Sequence, residues 1–357
     1  MRAVLHDLEA QRFLLAKEAA LRSPRLSDLE LSLDPRWKRK STLMSPGRRR
    51  AILAGRETAG GASPAGTLVA LGQDGTGGIA ALSVDGINWT FSRTGLPNSA
   101  AQSLASNGSV LVAATSNAND IAYSSNGLSW TTVASGTGGA NTVCWDSVHG
   151  VFVAIGSGAS ATSATGASWS AGGSTTSNYI ASAAGGGVIV AAGSASARFS
   201  SNGAASWSFT GANGPTQVTG SSFAYSPDLG LFVGGSSAVD ETVSSNGSTW
   251  VLASCSIVGE PSATVWAHEL SLFCAIAATN ASNGAITSPN GTTWTSQTTP
   301  TLAGGPFTMR GLAWNRAVFA AIGPSGILLT SPNGVTWTNR TPLNSSTTTW
   351  GAICLFH

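Results

Sequence analysis

Seven copies of one short motif constrain the fold of this chain more than any other feature. Each copy begins with Ser, carries Gly at or next to its centre and ends on Trp, and one copy reads Ser288-Pro289-Asn290-Gly291-Thr292-Thr293-Trp294. The final residues of the motif are Trp89, Trp130, Trp169, Trp207, Trp250, Trp294 and Trp337, which lie 41, 39, 38, 43, 44 and 43 residues apart. A four-stranded propeller blade repeats about every 40–45 residues, and propellers contain about four to eight blades. The spacing therefore predicts an all-β protein, a seven-bladed β-propeller of four-stranded antiparallel blades.

The motif has the chemistry of a turn between two strands. Pro289 presets φ, Gly291 accepts positive φ, and the side chain of Asn290 can bond the nearby backbone. We predict a type I turn followed by a left-handed Gly, which is a bulged hairpin, with Trp294 on the returning strand, where its ring fills a gap between sheets. A two-residue Asn-Gly turn is the alternative, although it requires a ladder N–H that Pro289 lacks. The third positions are interpreted as structural turn residues: Asp85, Asn126, Thr165, Asn202, Asn246, Asn290 and Asn333.

The repeat lacks a strand at its front and has one to spare at its back. The first blade opens with its second strand at Thr67, whereas residues 348–354 follow the seventh motif and resemble the first strand at residues 309–314. We predict that the C-terminal strand is innermost in the first blade, because this arrangement removes an open sheet edge and closes the ring. In the third repeat the four strands are predicted at residues 141–146, 151–155, 160–163 and 167–171.

The first 57 residues differ from the repeats in charge and periodicity. They hold 13 of the 18 Lys and Arg residues and 7 of the 16 acidic ones, a net +6, while residues 58–357 carry −4 from 5 cations and 9 anions. Apolar periodicity predicts a helix over about residues 3–22, ended by Ser23-Pro24. Leu29, Leu31 and Leu33 then alternate with polar residues as in an extended segment. We predict two domains, an anchoring arm at 1–57 and the propeller at 58–357.

The basic part of the arm is a candidate partner-docking segment. Its residues are Arg36, Trp37, Lys38, Arg39, Lys40, Arg48, Arg49 and Arg50. Such a segment can neutralise nucleic-acid phosphates, dock on a protein surface, or remain a solvated tail. The predicted helix and Trp37 argue against a tail, and the interspersed acids Asp28, Glu30 and Asp34 argue against nucleic acid. We favour docking on another protein.

The repeats contain no evident catalytic set. Glycosidases need two carboxylates that flank a bond, but Asp240 and Glu241 are adjacent on a predicted strand and point to opposite faces. Glu260 and Glu269 fall in or beside loops. We therefore expect the protein not to be an enzyme.

Cofactor, metal and membrane sites are not expected either. The four Cys and four His residues are scattered without ligand spacing, so Cys144, Cys274 and Cys354 are interpreted as buried free thiols. No apolar run reaches membrane-spanning length, and Asp7 and Glu9 interrupt any signal peptide. We expect no membrane insertion and no Sec-type export signal.

The motif resembles the Asp-box, or bacterial neuraminidase repeat, of sialidase-like β-propellers, and the resemblance covers residues 60–356. Six copies are one residue shorter than the usual box, Asn202 to Trp207 keeps the longer spacing, and only Asp85 keeps the acid. In that family the box is a folding device away from the ligand face. The family's chemistry needs an arginine cluster and a Tyr–Glu pair, whereas Arg198 and Tyr123 fall on third strands. The short form also resembles propeller modules in tail and fibre proteins of bacteriophages.

These resemblances imply a non-enzymatic structural or attachment protein of a phage-like virion, such as a tail, fibre, collar or decoration component. The arm is expected to bind other virion proteins, and the propeller loops at residues 260–261, 300–306 and 342–347 are expected to meet a host-surface glycan, a receptor or a neighbouring subunit. The alternative is a free, extracellular, lectin-like propeller that binds glycans in inter-blade pockets through aromatic rings and amides. A sialidase-like enzyme is the least favoured interpretation.

Overall fold

The computed structural model is a ring of seven four-stranded antiparallel sheets. It describes residues 65–97, 101–115, 120–175, 178–193, 196–211, 214–215, 222–235, 240–254, 261–277, 284–302 and 309–357. These residues belong to one compact unit, Ser63–His357. The innermost strand of each sheet contacts the innermost strands of its two neighbours, so the ring is closed.

The first three blades, from the innermost strand outward, are as follows. Blade 1 contains β28 (Thr349–Phe356), β1 (Thr67–Gln73), β2 (Gly78–Ser83) and β3 (Thr90–Arg93). Blade 2 contains β4 (Ala101–Ser106), β5 (Leu111–Thr115), β6 (Asp120–Ser124) and β7 (Thr131–Ala134). Blade 3 contains β8 (Ala140–Asp146), β9 (Val151–Gly156), β10 (Ala159–Ser163) and β11 (Ser170–Ser174).

The other four blades repeat this order. Blade 4 contains β12 (Tyr179–Gly185), β13 (Val188–Gly193), β14 (Ala197–Ser200) and β15 (Ser208–Phe209). Blade 5 contains β16 (Phe223–Ser226), β17 (Leu231–Gly235), β18 (Asp240–Ser244) and β19 (Val251–Ser254). Blade 6 contains β20 (Pro261–Ala267), a 3-10 helix (His268–Leu270), β21 (Leu272–Ala277), β22 (Ala285–Ser288) and β23 (Thr295–Gln297). Blade 7 contains β24 (Gly311–Trp314), β25 (Phe319–Ile322), β26 (Leu328–Ser331) and β27 (Thr338–Asn339).

The ring is closed by the two ends of the propeller. β28 pairs antiparallel with β1, so that Leu68 lies opposite Leu355 and Val69 opposite Cys354. Trp350 on β28 is fully buried. The prediction that the C-terminal strand completes the first blade is confirmed.

The hydrophobic core lies between adjacent blades rather than in one central mass. One cluster combines Val112 of blade 2, Phe152 of blade 3 and, packed against them, Trp169. Second strands are covered on both faces by neighbouring sheets, and every residue of β5 is buried. Fourth strands are mostly exposed, as in β7. The prediction that each Trp fills a gap between sheets is confirmed, because each of the seven packs in a cluster shared by its own blade and the preceding one.

The turn that carries the motif is wider than predicted. In blade 2 the last paired residues are Tyr123 and Thr131, so the ladder stops before the motif Ser and resumes after Trp130. The placement of Trp on the returning strand was therefore wrong, since each fourth strand begins one residue after the Trp. The predicted fourth strand at 167–171 is likewise shifted to Ser170–Ser174. The loop can be wider because side-chain oxygens replace ladder carbonyls as acceptors of backbone N–H groups in this turn.

Candidate functional site

The repeat hairpin, defined as the Ser-to-Trp turn in each blade, is held by hydrogen bonds between its own residues. In blade 2, Ser124 Oγ accepts the backbone N–H of Gly127 at 2.9 Å, and Asn126 Oδ1 accepts those of Leu128 and Ser129 at 2.9 Å each. Gly127 has φ 75°, which favours Gly. Trp130 Nε1 donates to the carbonyl oxygen of Gly127 at 3.0 Å. The side-chain oxygens of Ser124 and Asn126 are thus used to hold the turn.

The other copies follow the same design, with two variations at the third position. The equivalent amide oxygens of Asn246, Asn290 and Asn333 each accept two backbone N–H groups. Thr165 accepts one such bond at 3.3 Å. In the longer copy Asn202 accepts from Ser206, and Ala204 takes positive φ after Gly203 to absorb the extra residue.

Asp85 is the acidic member of this series. Its carboxylate accepts the backbone N–H groups of Asn88 and Ile87, both at 2.8 Å, and the side-chain amide of Asn88. These bonds hold the pKa of Asp85 well below its usual range. The ionised carboxylate is thus committed to the turn.

Trp89 departs from the other six motif tryptophans. Five of them donate the indole N–H to the carbonyl of the motif Gly, and Trp207 donates to Ser160 Oγ of the preceding blade at 3.0 Å. Trp89 Nε1 is buried and has no hydrogen-bond partner among the described residues. Blade 1 therefore carries an unsatisfied donor at a position where the other blades have none.

Each repeat hairpin packs against the preceding blade. A Cβ added to Gly166 of blade 3 would lie 2.8 Å from Val112 Cγ2 and 3.1 Å from Tyr123 Cβ of blade 2. One added to Gly86 of blade 1 would lie 3.1 Å from Val318 of blade 7. The motif Gly is thus required for close approach as well as for positive φ.

An axial pocket opens at the centre of the ring and has a volume of about 140 Å³. Its wall comes from the innermost strands of all seven blades and includes Ser103, Thr142 and Ser182. Thr142 Oγ1 lies 2.7 Å from Ser182 Oγ, and Ser103 Oγ donates to the carbonyl of Val143 at 3.2 Å. The exposed Arg310, directly before β24, also lines this pocket. The pocket is therefore polar and carries one cation.

A buried carboxyl group lies behind the wall of the axial pocket, between blades 5 and 6. Glu241 is fully buried, and its Oε1 accepts the hydroxyl of Thr264, a pocket-lining residue, at 3.4 Å. Burial raises the pKa of Glu241 to about 8, so the group is mostly neutral at pH 7. In the part of the chain that the structure describes, its Oε2 and the hydroxyl of the buried Ser222 have no hydrogen-bond partner. The sequence placed Glu241 on this strand, but it carried no signal that the side chain is enclosed.

Two exposed or partly exposed acidic residues, Asp228 and Glu269, connect neighbouring blades. Asp228 Oδ2 accepts Trp266 Nε1 of blade 6 at 2.8 Å and lies 2.7 Å from His268 Nδ1. The hydrogen bond from His268, followed by that from Trp266, lowers the pKa of Asp228, and the bond to Asp228 raises that of His268. Glu269 accepts Trp314 Nε1 of blade 7 at 2.7 Å. The exposed His268 is therefore part of an inter-blade contact.

Other titratable pairs lie within single blades. Asp146 Oδ2 is 2.6 Å from His149 Nδ1 in blade 3. Asp74 pairs with Arg93 through two bonds of 2.7 Å in blade 1, and this bonding holds the pKa of Asp74 well below its usual range. These acids are used as structural acceptors.

The seam groove lies between blades 7 and 1 and consists of two cavities that share Ile87 and Arg340. The first, of about 460 Å³, is also lined by Val84, Val318 and Pro332, among others. The second, of about 350 Å³, is also lined by Trp89, Phe91, Leu328, Pro342, Leu343 and Asn344. The structure thus brings part of the predicted loop at residues 342–347 to this groove.

Several predicted residues cannot be placed. The arm, with Arg36 to Lys40 and Arg48 to Arg50, lies outside the described residues, as do Glu260 and residues 303–306 of the predicted loops. Cys144, Cys274 and Cys354 are free thiols, and Cys255 lies outside the described residues. Within the described ranges no group of three or more His, Cys, Asp or Glu side chains is placed to hold a metal ion. A search of the same ranges for helices of membrane-spanning length and apolarity finds none.

Blade count, closure and strand order define this protein as a seven-bladed β-propeller. Solved structures share the fold. A protein of unknown function from Desulfotomaculum acetoxidans DSM 771 superposes with a TM-score of 0.60 at 13% identity, covering 82% of this chain and 99% of that one. A chain of a nidogen/laminin complex gives 0.53 at 10% identity, covering 82% and 99%. YCF48 from Cyanidioschyzon merolae gives 0.50 at 14% identity, covering 70% and 87%.

Sequence comparisons add no closer assignment. No family model matches this chain, and no curated protein matches it. Because the structural likenesses have low sequence identity, they show the fold alone.

Proposed function

We propose that this chain is a non-enzymatic structural or attachment protein of a phage-like particle. Residues 1–57 bind a neighbouring virion protein, and the propeller is displayed outward. In this proposal the repeat hairpins are Asp-boxes that serve folding. The virion assignment is supported by the resemblance of the motif to propeller modules of phage tail and fibre proteins and by the division into a basic arm and an acidic ring.

The observation that carries the non-enzymatic part is the use of five acidic groups of the ring, while a sixth, Glu241, is fully buried. Asp74, Asp85, Asp146, Asp228 and Glu269 each accept hydrogen bonds that hold a turn, a strand pair or two blades together. Catalytic carboxylates need access to a substrate, whereas these are committed to structural donors. The ring of sheets is closed, which suits display of loops.

The location of the protein tests the virion assignment. We expect electron microscopy of particles that contain the full chain to show a disc-shaped density outside the particle body. Particles assembled with a chain that lacks residues 1–57 should lack this density. A matched variant keeps the arm but replaces Arg48, Arg49 and Arg50 by Gln, and it should reduce incorporation less than the deletion. Unimpaired incorporation of the deleted chain, with a ring that melts normally, would contradict anchoring by the arm.

A glycan-binding propeller is the second candidate, and the axial pocket favours it. Its hydroxyl groups from Ser103, Thr142 and Ser182 and the guanidinium of Arg310 offer the donors and acceptors that sugars require. A glycan array probed with the full chain tests this candidate. Binding that is lost in Arg310→Ala would favour the lectin, and a silent array would oppose it.

A further inference from the structure

The seam groove differs from the other six inter-blade grooves in composition. The residue after the motif Ser is Val84 in blade 1, but it is Ser, Ala or Pro in the other six copies. The third residue after the motif Trp is Arg340 in blade 7, and no other blade has a charged residue there. Because the repeats share one backbone design, each serves as a reference for the others. The groove between blades 7 and 1 thus has Val84 and Arg340 at two positions where no other blade has these residue types.

The apolar side chains of the seam groove face solvent. The exposed fractions are 59% for Val84, 54% for Ile87 and 40% for Phe91. All three line one of the two cavities that share Ile87 and Arg340. Their volumes of about 460 and 350 Å³ match pockets that bury a ligand group. Clustered exposed apolar side chains mark protein interaction sites more often than single ones do.

The charge of Arg340, which lines both cavities, indicates which charged group a partner would carry. Arg340 Nε donates to Thr330 Oγ1 at 3.4 Å, and its backbone N–H to Leu328. The Nη groups of Arg340 make no hydrogen bond to the described residues, and no acid there lies within ion-pair distance. Asp85 also lines the groove, but its carboxylate is bonded to the turn. An unpaired guanidinium beside an apolar wall favours a carboxylate, which accepts two parallel N–H bonds from it.

We infer that the seam groove binds an extended segment of a partner protein in which a carboxylate stands next to a branched or aromatic apolar side chain. The carboxylate pairs with Arg340, and the apolar side chain packs against Ile87 and Val318. A sugar suits the larger of the two cavities less well, because its wall is mainly apolar and leaves most hydroxyl groups of a sugar unsatisfied. None of the residues that line this groove lines the axial pocket, so the inference goes beyond the proposed function.

A dodecapeptide display library selected on the full-length protein tests the inference. We expect the enriched peptides to carry Asp or Glu near Ile, Leu, Val or Phe. Affinity of the strongest peptide should fall about tenfold or more in Arg340→Gln and in Ile87→Ser. Gln297→Ala and Thr292→Ala change the equivalent positions of blade 6, and they should leave affinity unchanged.

A second arm of the experiment leaves the protein unaltered. Replacing the acidic residue of the selected peptide by its amide should lower the affinity for the unmodified chain by a similar factor. The inference is overturned if the selected peptides lack acids, if Arg340→Gln binds them as the parent does, or if the blade 6 variants lose binding equally. Displacement of the peptide by a neutral glycan would also overturn it.

Discussion

Leu68 and Leu355 lie opposite each other on antiparallel strands, although 287 residues separate them in sequence. Through this pairing β28 becomes the inner strand of blade 1, and it also contacts the inner strands of blades 2 and 7. One strand therefore joins three sheets. The stability of the ring depends on this junction, since an open ring exposes two blade faces.

Deletion of residues 347–357 is expected to abolish cooperative folding, because it removes β28 together with the buried Trp350. Thermal unfolding followed by circular dichroism, with size-exclusion chromatography, measures the effect. Removal of His357 alone, which follows β28, is the control and should leave the melting temperature near that of the full chain. A deleted chain that melts like the full chain would contradict the role of the strand.

Replacing Trp130 by Phe should destabilise the protein more than the same change at Trp89. The first substitution leaves the buried carbonyl of Gly127 without the donor that it has at 3.0 Å. The second removes an indole N–H that has no partner among the described residues. The expected difference is about 1–3 kcal/mol, the cost of an unsatisfied buried group.

Chemical denaturation of both Trp variants measures the difference. Trp250→Phe is a second bonded case, with its N–H 3.0 Å from the carbonyl of Gly247, and should behave like Trp130→Phe. Equal losses at Trp89 and Trp130 would show that the unsatisfied donor has no energetic consequence.

Gly166→Ala should cost more stability than Gly136→Ala. The two glycines have nearly equal φ of 76° and 77°, so the left-handed strain of about 1–2 kcal/mol is shared. An added methyl group at Gly166 meets Val112 Cγ2 at 2.8 Å, whereas at Gly136 no atom of the described residues lies within 4 Å. Overpacking adds about 1–3 kcal/mol. Urea unfolding of the two variants measures the difference, and similar losses would mean that blade 2 yields easily to the hairpin of blade 3.

Stability should fall as pH rises because of Glu241. Its folded-state pKa is about 8, above its ordinary value of 4.5, so between these values the folded protein holds a proton that the unfolded chain releases. The free energy of unfolding therefore decreases with pH through this window and levels off above about pH 8. Glu241→Gln should remove this slope and be more stable than the parent at pH 9.

The comparison of variant and parent isolates Glu241 from other groups. The raised pKa of His268 gives a contribution that is likewise lost as pH rises, but it is present in both proteins. Urea unfolding at pH 5, 7 and 9 gives the difference in free energy. A difference that does not grow with pH would mean that Glu241 is not enclosed as the structure shows.

The arm shows where sequence reasoning ends. The helix over residues 3–22, the docking residues from Arg36 to Arg50 and the partner that they imply lie outside the described residues, and they stay predictions. The virion location, the non-enzymatic role and the glycan-binding alternative also stay predictions.

The sequence by itself determined the number of blades, the closing strand and the structural role of the motif. These follow from local chemistry that recurs in every repeat, since residues such as Gly127 and Asn126 favour a turn independently of their surroundings. Seven such turns at the spacing of propeller blades leave few alternative folds. The turn is longer than predicted. The Ser and Asn side chains that identify it also accept backbone N–H groups that would otherwise pair across the two strands, so the strand ladder stops earlier.

Only the tertiary structure decided which polar groups are enclosed, exposed or unpaired. Glu241 is bonded to Thr264 of the next blade. The seam groove forms because Arg340 and Ile87, from the last and first repeats of the sequence, line the same cavity. Local turn chemistry acts over a few residues, whereas solvation and charge pairing depend on neighbours in space. Closing the ring sets those neighbours, which is why the sites, unlike the blades, could not be predicted from the repeat.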